Sequence, residues 1–129
     1  MAEWSEELTQ AWEQRKGPVV FGTVNPDSEP NVVYVTWVKQ FGDALLLADN
    51  YFDKTKANIE SGSRGALVFL TAEGHSYQVK GPLERQTSGP AFDEIKAWLP
   101  DPETFPGHAA VLLHVEQAYS NCYGSKRIQ

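Results

Sequence analysis

Hydrophobic positions along this chain fall into short runs, closely spaced and broken by turn-forming residues. Near the start, Ser5 precedes Glu6 and Glu7, Leu8, Ala11 and Trp12 share one helical face, and Arg15, Lys16 and Gly17 follow. That order predicts a short amphipathic helix with Ser5 as its N-cap. From Pro18 to Asn50 the residues form three β-rich runs, separated by Asn25-Pro26-Asp27-Ser28 and by Phe41-Gly42-Asp43, which predicts a β-meander. A second helix is expected from Lys54, then two strands around Glu73-Gly74-His75, then a third helix with Phe92, Ile95 and Leu99 at helical spacing. After the proline-rich stretch PDPETFPGH, Val111, Leu113 and Val115 alternate with Leu112, His114 and Glu116 in the manner of a strand within AAVLLHVEQAYS. The tail NCYGSKRIQ has no strong periodicity.

About six strands with three peripheral helices, spaced too tightly for βαβ crossovers, point to a mainly β fold: one antiparallel sheet closing toward a barrel. No repeat or composition shift marks a boundary, so residues 1–129 are expected to form one domain.

Charge narrows the partners. A formal net charge of −6 argues against nucleic acid or an anionic membrane as the main partner, so any basic patch must be local. Cys122 is the single cysteine, which excludes an intrachain disulfide and fits a reduced compartment. The start MAEWSEELTQ lacks the basic and apolar regions of an export signal, and no run is long enough to span a bilayer as a helix. A cytoplasmic location is expected.

One local feature conflicts with the usual rules. The second helix opens with Lys54 and Lys56 in its first turn, where unpaired N–H groups already favour anions. An external phosphate would resolve the conflict by accepting hydrogen bonds from those N–H groups and the Thr55 hydroxyl while Lys54 supplies charge. In the alternative, Asp53 caps the helix and both lysines are solvated, at a cost of only about 0.3–1 kcal/mol.

The stretch NVVYVTWVKQFGDALLLADNYFDKTKANI resembles the pyridoxamine 5′-phosphate oxidase-like family of FMN-binding split barrels, including its small FMN-binding proteins. The matching features are Thr36-Trp37, the Phe41-Gly42-Asp43 turn, Leu45 to Asn50, and Lys54-Thr55 leading to Asn58; SYQVKGPLERQ is similar to the family's glutamine-bearing strand. The resemblance implies FMN as cofactor, its phosphate held by Lys54 and Thr55 with Thr36 as a further donor. It also implies that backbone atoms around Val35, Trp37, Asp49 and Asn50 line the ring, that Asn58 belongs to the motif, and that Gln78 lies near the flavin. A homodimer with the flavin at its interface is implied as well, with Trp98, Tyr119 and Tyr123 as candidate cover from the second subunit and Lys126 and Arg127 as added charge. Lys54-Thr55 stands where the oxidases carry Arg-Lys, and no second basic cluster for a phosphorylated B6 substrate can be placed, so vitamin B6 oxidation is not expected.

Little else carries chemistry. His75, His108 and His114 lack metal-site spacing, Asp93 and Glu94 have no evident acid–base partner, and Cys122 reads as a small, partly buried residue. The sequence therefore predicts a flavoprotein that reduces an unidentified small substrate or carries electrons, with no catalytic side chain. The alternatives are a binding module for haem, a deazaflavin or stored flavin, with His75 or His114 as axial ligand in the haem case, and an interaction domain without cofactor.

Overall fold

The structure is a computed structural model and describes residues 3–129. Helix α1 (Glu6–Glu13) is capped as expected, the Ser5 hydroxyl accepting the Leu8 N–H at 3.1 Å. Strands β1 (Val19–Val24), β2 (Pro30–Val35), β3 (Val38–Phe41) and β4 (Ala44–Asp49) lead to helix α2 (Lys54–Glu60). Strands β5 (Arg64–Leu70) and β6 (Ser76–Gln86) then precede helix α3 (Pro90–Trp98), and β7 (Ala109–His114), β8 (Gln117–Ser120) and β9 (Lys126–Arg127) complete the chain.

All strand pairs are antiparallel, in the order β2-β1-β5-β6-β7-β4-β3, with β8 on β6 and β9 on β8. The sheet curls into a split barrel. Its turning point is β6, whose first part pairs with β5 and β8 and whose last residues, Leu83 to Gln86, pair with β7. The two ends of the strand order, β2 and β3, are consecutive in sequence and joined by Thr36-Trp37, yet they do not pair with each other. That corner is the split.

Among the described residues the mainly β barrel with three helices matches the expectation, but nine strands replace the roughly six expected. The predicted meander is interrupted, because its second run breaks at Thr36-Trp37 and sends β3 into the other half of the barrel. The expected last strand also divides, at Val115-Glu116, and the aperiodic tail holds the short β9. Hydrophobic alternation sees which side of a sheet a residue faces; it does not see a corner where both neighbours remain extended.

Two apolar layers explain the burial. Inside the barrel, Phe21, Leu45, Leu47, Leu67, Phe69, Val79 and Leu113 pack together, with Leu8 and Trp4 of the N-terminal segment against them. Outside β4 and β7, Leu46 and Leu112 meet Ile95 and Ala91 of α3. Both faces of those strands are thus covered, so β4 is apolar throughout most of its length instead of alternating. Helix α2 meets β1 from its inner side, through Asn58 and Thr23, and on the outer face Val32 and Tyr34 of β2 are 62% and 77% exposed. Among the described residues no helix is long and apolar enough to cross a membrane.

Where β6 turns from one half to the other, its backbone runs against the end of β7. A Cβ at Gly81 would lie 1.7 Å from the His114 carbonyl oxygen, whereas one at Gly65, its cross-strand partner, would meet only the movable Leu83 side chain at 2.6 Å. Gly81→Ala should therefore cost about 3 kcal/mol or more, or prevent folding, and Gly65→Ala markedly less. Urea unfolding of the two variants checks the ranking, and equal losses would contradict the close approach.

Candidate functional site

A cavity of about 410 Å³ opens at the split, between β2, the end of β4 and the start of α2. Its size falls within the range of small-molecule sites. Strand β2 pairs only with β1, so the backbone groups on its other edge have no strand partner, and Val33, Val35 and Thr36 border the cavity along that edge. Trp37, Tyr51 and Phe105 add an aromatic wall. The Trp37 ring meets Trp98 edge-on at 5.3 Å and Phe105 at 5.2 Å, and its buried indole N–H has no hydrogen-bond partner.

At the opposite end lies the lysine-bearing helix start. Asp53 makes no side-chain cap, which overturns the capping alternative: the N–H groups of Lys54, Thr55 and Lys56 have no intrahelical acceptor. Lys54 is exposed and Thr55 is buried at the cavity margin. Asn31 donates its Nδ2–H to Thr55 Oγ1 at 3.1 Å, which leaves the threonine O–H free to donate. Free backbone donors, one hydroxyl donor and one ammonium at one end of an aromatic-walled cavity can take a planar ring with an anionic tail.

Six of the nine residues expected at the site border this cavity: Val35, Thr36, Trp37, Asn50, Lys54 and Thr55. The other three do not. Asp49 is 1% exposed, and its carboxylate is held by Arg85 Nη2 at 3.1 Å and Nε at 3.3 Å, while its Oδ1 accepts the Phe52 N–H at 3.0 Å. Breaking a buried pair of this kind costs about 3–5 kcal/mol, which makes the carboxylate a structural anchor. Asn58 is buried beneath the helix and donates to Thr23 Oγ1 at 3.0 Å, tying α2 to β1. Gln78 lies on the outer face of β6, in register with Val68 and Tyr119, away from the cavity.

Some expected backbone contacts are also used within the chain. The Trp37 carbonyl accepts the Ala48 N–H at 3.0 Å and the Asp49 carbonyl accepts the His108 N–H at 2.8 Å. The Asn50 side chain borders the cavity but spends its oxygen on the Gly107 N–H at 2.9 Å. Of the candidate covering residues, Trp98 is engaged by Trp37 of its own chain, Tyr119 stands on the bare sheet face, and Tyr123 is 99% exposed.

Sequence reading missed Asn31, Tyr34, Tyr51 and Phe105. Asn31 left a usable trace, being polar on the strand side that otherwise carries Val33 and Val35. Phe105 left none, because a loop distant in sequence delivers it.

None of the three histidines borders the cavity. His114 bonds Glu84 across the sheet at 2.9 Å, and His75 stands 3.9 Å from Glu73. Hydrogen bonds from Gln86 and then His114 hold the Glu84 carboxyl below its ordinary value.

Comparison with solved structures agrees on the architecture. Group A Streptococcus HupZ is similar at 21% identity, over 95% of this chain and 97% of that one, with a TM-score of 0.79. An FMN-binding protein from Syntrophomonas wolfei subsp. wolfei is similar at 22% identity, over 90% and 86% of the two chains, with a TM-score of 0.77. A pyridoxamine 5′-phosphate oxidase-related, FMN-binding protein from Nostoc punctiforme matches at 12% identity, over 98% and 90%, with a TM-score of 0.70. These identities establish the fold alone. Comparison with curated proteins gives no match. The family model described as pyridoxamine 5′-phosphate oxidase matches residues 5–122, nearly the whole barrel together with α1, and the chain belongs to that family.

Proposed function

We propose that this protein is an FMN-binding flavoprotein that works in oxidation–reduction as a homodimer, either reducing a small molecule or carrying electrons. The observation that carries the reading is the uncapped Lys54-Thr55 helix start at one end of the cavity, facing the free edge of β2, in a chain of this family. The residues present fit the nucleotide. Lys54, the Thr55 hydroxyl and the free N–H groups suit a phosphate ester, with Thr36 a further donor at the corner; unpaired β2 backbone groups suit a flavin's polar rim; Trp37 and Phe105 suit its flat faces.

Bound there, FMN would supply the redox chemistry, its ring accepting and releasing electrons singly or as hydride. The chain's own part is to bind, orient and limit access. Asn31 fixes the Thr55 rotamer so that its proton points away from the amide, and the aromatic wall excludes water from one side of the cavity.

The bare sheet face supports the dimer. Tyr34, Val20, Val68, Gln78 and Tyr119 stand in register across five neighbouring strands, an apolar-to-polar row that is half-buried except at the exposed Tyr34. Because β2 supplies both this face and the cavity edge, a second copy seated on the face reaches the cavity mouth, where Tyr34 stands. Gln78 can then approach a flavin only across the interface. A two-fold arrangement buries the patch on both copies at once.

The first test is direct: purified protein titrated with FMN should bind it and show flavin absorption, and a colourless protein indifferent to FMN would refute the reading. Lys54→Ala and Thr55→Ala should weaken FMN about tenfold or more while changing riboflavin little, since only FMN carries the phosphate. Equal losses for both ligands would place the phosphate elsewhere. Val68→Asp should convert the dimer to a monomer in analytical ultracentrifugation, and an unchanged sedimentation coefficient would remove this face from the interface.

A further inference from the structure

Arg85 lies near the end of β6, outside the cavity, in the middle of the polar run Glu84-Arg85-Gln86. Its side chain is 16% exposed and that of Asp49, whose carboxylate it holds, is 2% exposed. The two oxygens of that carboxylate do different work. Oδ2 takes both guanidinium N–H groups, which anchors the end of β4 to β6; Oδ1 takes the Phe52 N–H, which shapes the turn entering α2. That turn decides where Lys54 and Thr55 stand.

Asp49 and the two residues after it also hold the opposite wall. The Asp49 carbonyl accepts the His108 N–H, the Asn50 side chain accepts the Gly107 N–H, and the Tyr51 hydroxyl donates to the Thr104 carbonyl. With Lys96 on the Pro106 carbonyl at 2.7 Å, these ties fix the loop that carries Phe105. Both ends of the cavity therefore depend on the segment Asp49 to Tyr51, and its charged anchor to the sheet is Arg85.

We propose that Arg85 is a positioning residue for the ligand site. Acting through Asp49, it fixes the distance between the Lys54-Thr55 end and the Phe105 wall, and so sets the preference for a phosphorylated flavin over its unphosphorylated form. This rests on the FMN reading above. A methionine at 85 fills much of the space but offers no donor, leaving Asp49 free to turn and the entry to α2 free to shift. A lysine keeps the charge with one donor group and should restore part of the geometry.

The test measures amide hydrogen exchange in the ligand-free protein, and FMN and riboflavin affinities, for wild type, Arg85→Met and Arg85→Lys. Arg85→Met should speed exchange at Phe52, Gly107 and His108 while Val68 and Val79 in the central strands stay protected. It should raise the FMN dissociation constant about tenfold or more and that of riboflavin far less, with Arg85→Lys in between. Unchanged exchange at Phe52, or equal losses of both ligands together with loosening throughout the sheet, overturns the positioning role. If Arg85→Met does not fold, Arg85→Lys carries the test, and a wild-type ratio of the two affinities in that variant overturns the proposal. Wild-type protein that takes neither flavin overturns the cofactor reading and needs no variant to show it. A flavin-binding wild type with no Arg85 effect overturns the positioning role alone.

Discussion

Strand β2 has one hydrogen-bonded neighbour, and most of what is distinctive in this molecule follows from that. An edge strand presents a row of unpaired N–H and C=O groups that must find water, a ligand or another chain. Here the chain turns at Thr36-Trp37 instead of pairing β2 with β3, so the barrel stays open along that line. The end of β4, the start of α2 and the loop carrying Phe105 surround the opening. Closing the barrel would satisfy the edge and remove the cavity.

The uneven placement of helices gives the two halves different roles. Helix α3 covers the outer side of β4 and β7 with Ala91 and Ile95, which makes that half a two-sided core and a rigid support. On the outer side of β1 and β2, Val24, Val32 and Tyr34 remain exposed although polar residues would suit water better. Strand β2 belongs to the half that is short of cover and also borders the cavity, so one strand supplies both the exposed face and a cavity edge.

Buried polar groups near the site divide between holding and offering. Asp49, Asn50 and Asn58 are largely committed to Arg85, Gly107 and Thr23, and such commitments make a loop stiff. Thr55, the first N–H groups of α2 and Lys54 retain unused donors. A small-molecule site needs both sets, since a few aimed donors are effective only when the backbone that carries them cannot relax away.

Much of this was legible in the chain itself. Capping at Ser5, the turn at Phe41-Gly42-Asp43, the three helices and the antiparallel, barrel-forming character follow from local propensity and periodicity, which act over a few residues and so are written in consecutive letters. Lys54-Thr55 was readable because cations at a helix start run against local electrostatics. Tertiary structure alone decided that β2 and β3 part company, that β6 serves both halves, that the Asp49 carboxylate pairs with Arg85, and that Phe105 reaches the cavity. Each of those depends on which distant segments meet across the barrel, a choice set by the packing of whole faces and by the requirement that every buried charge find its partner.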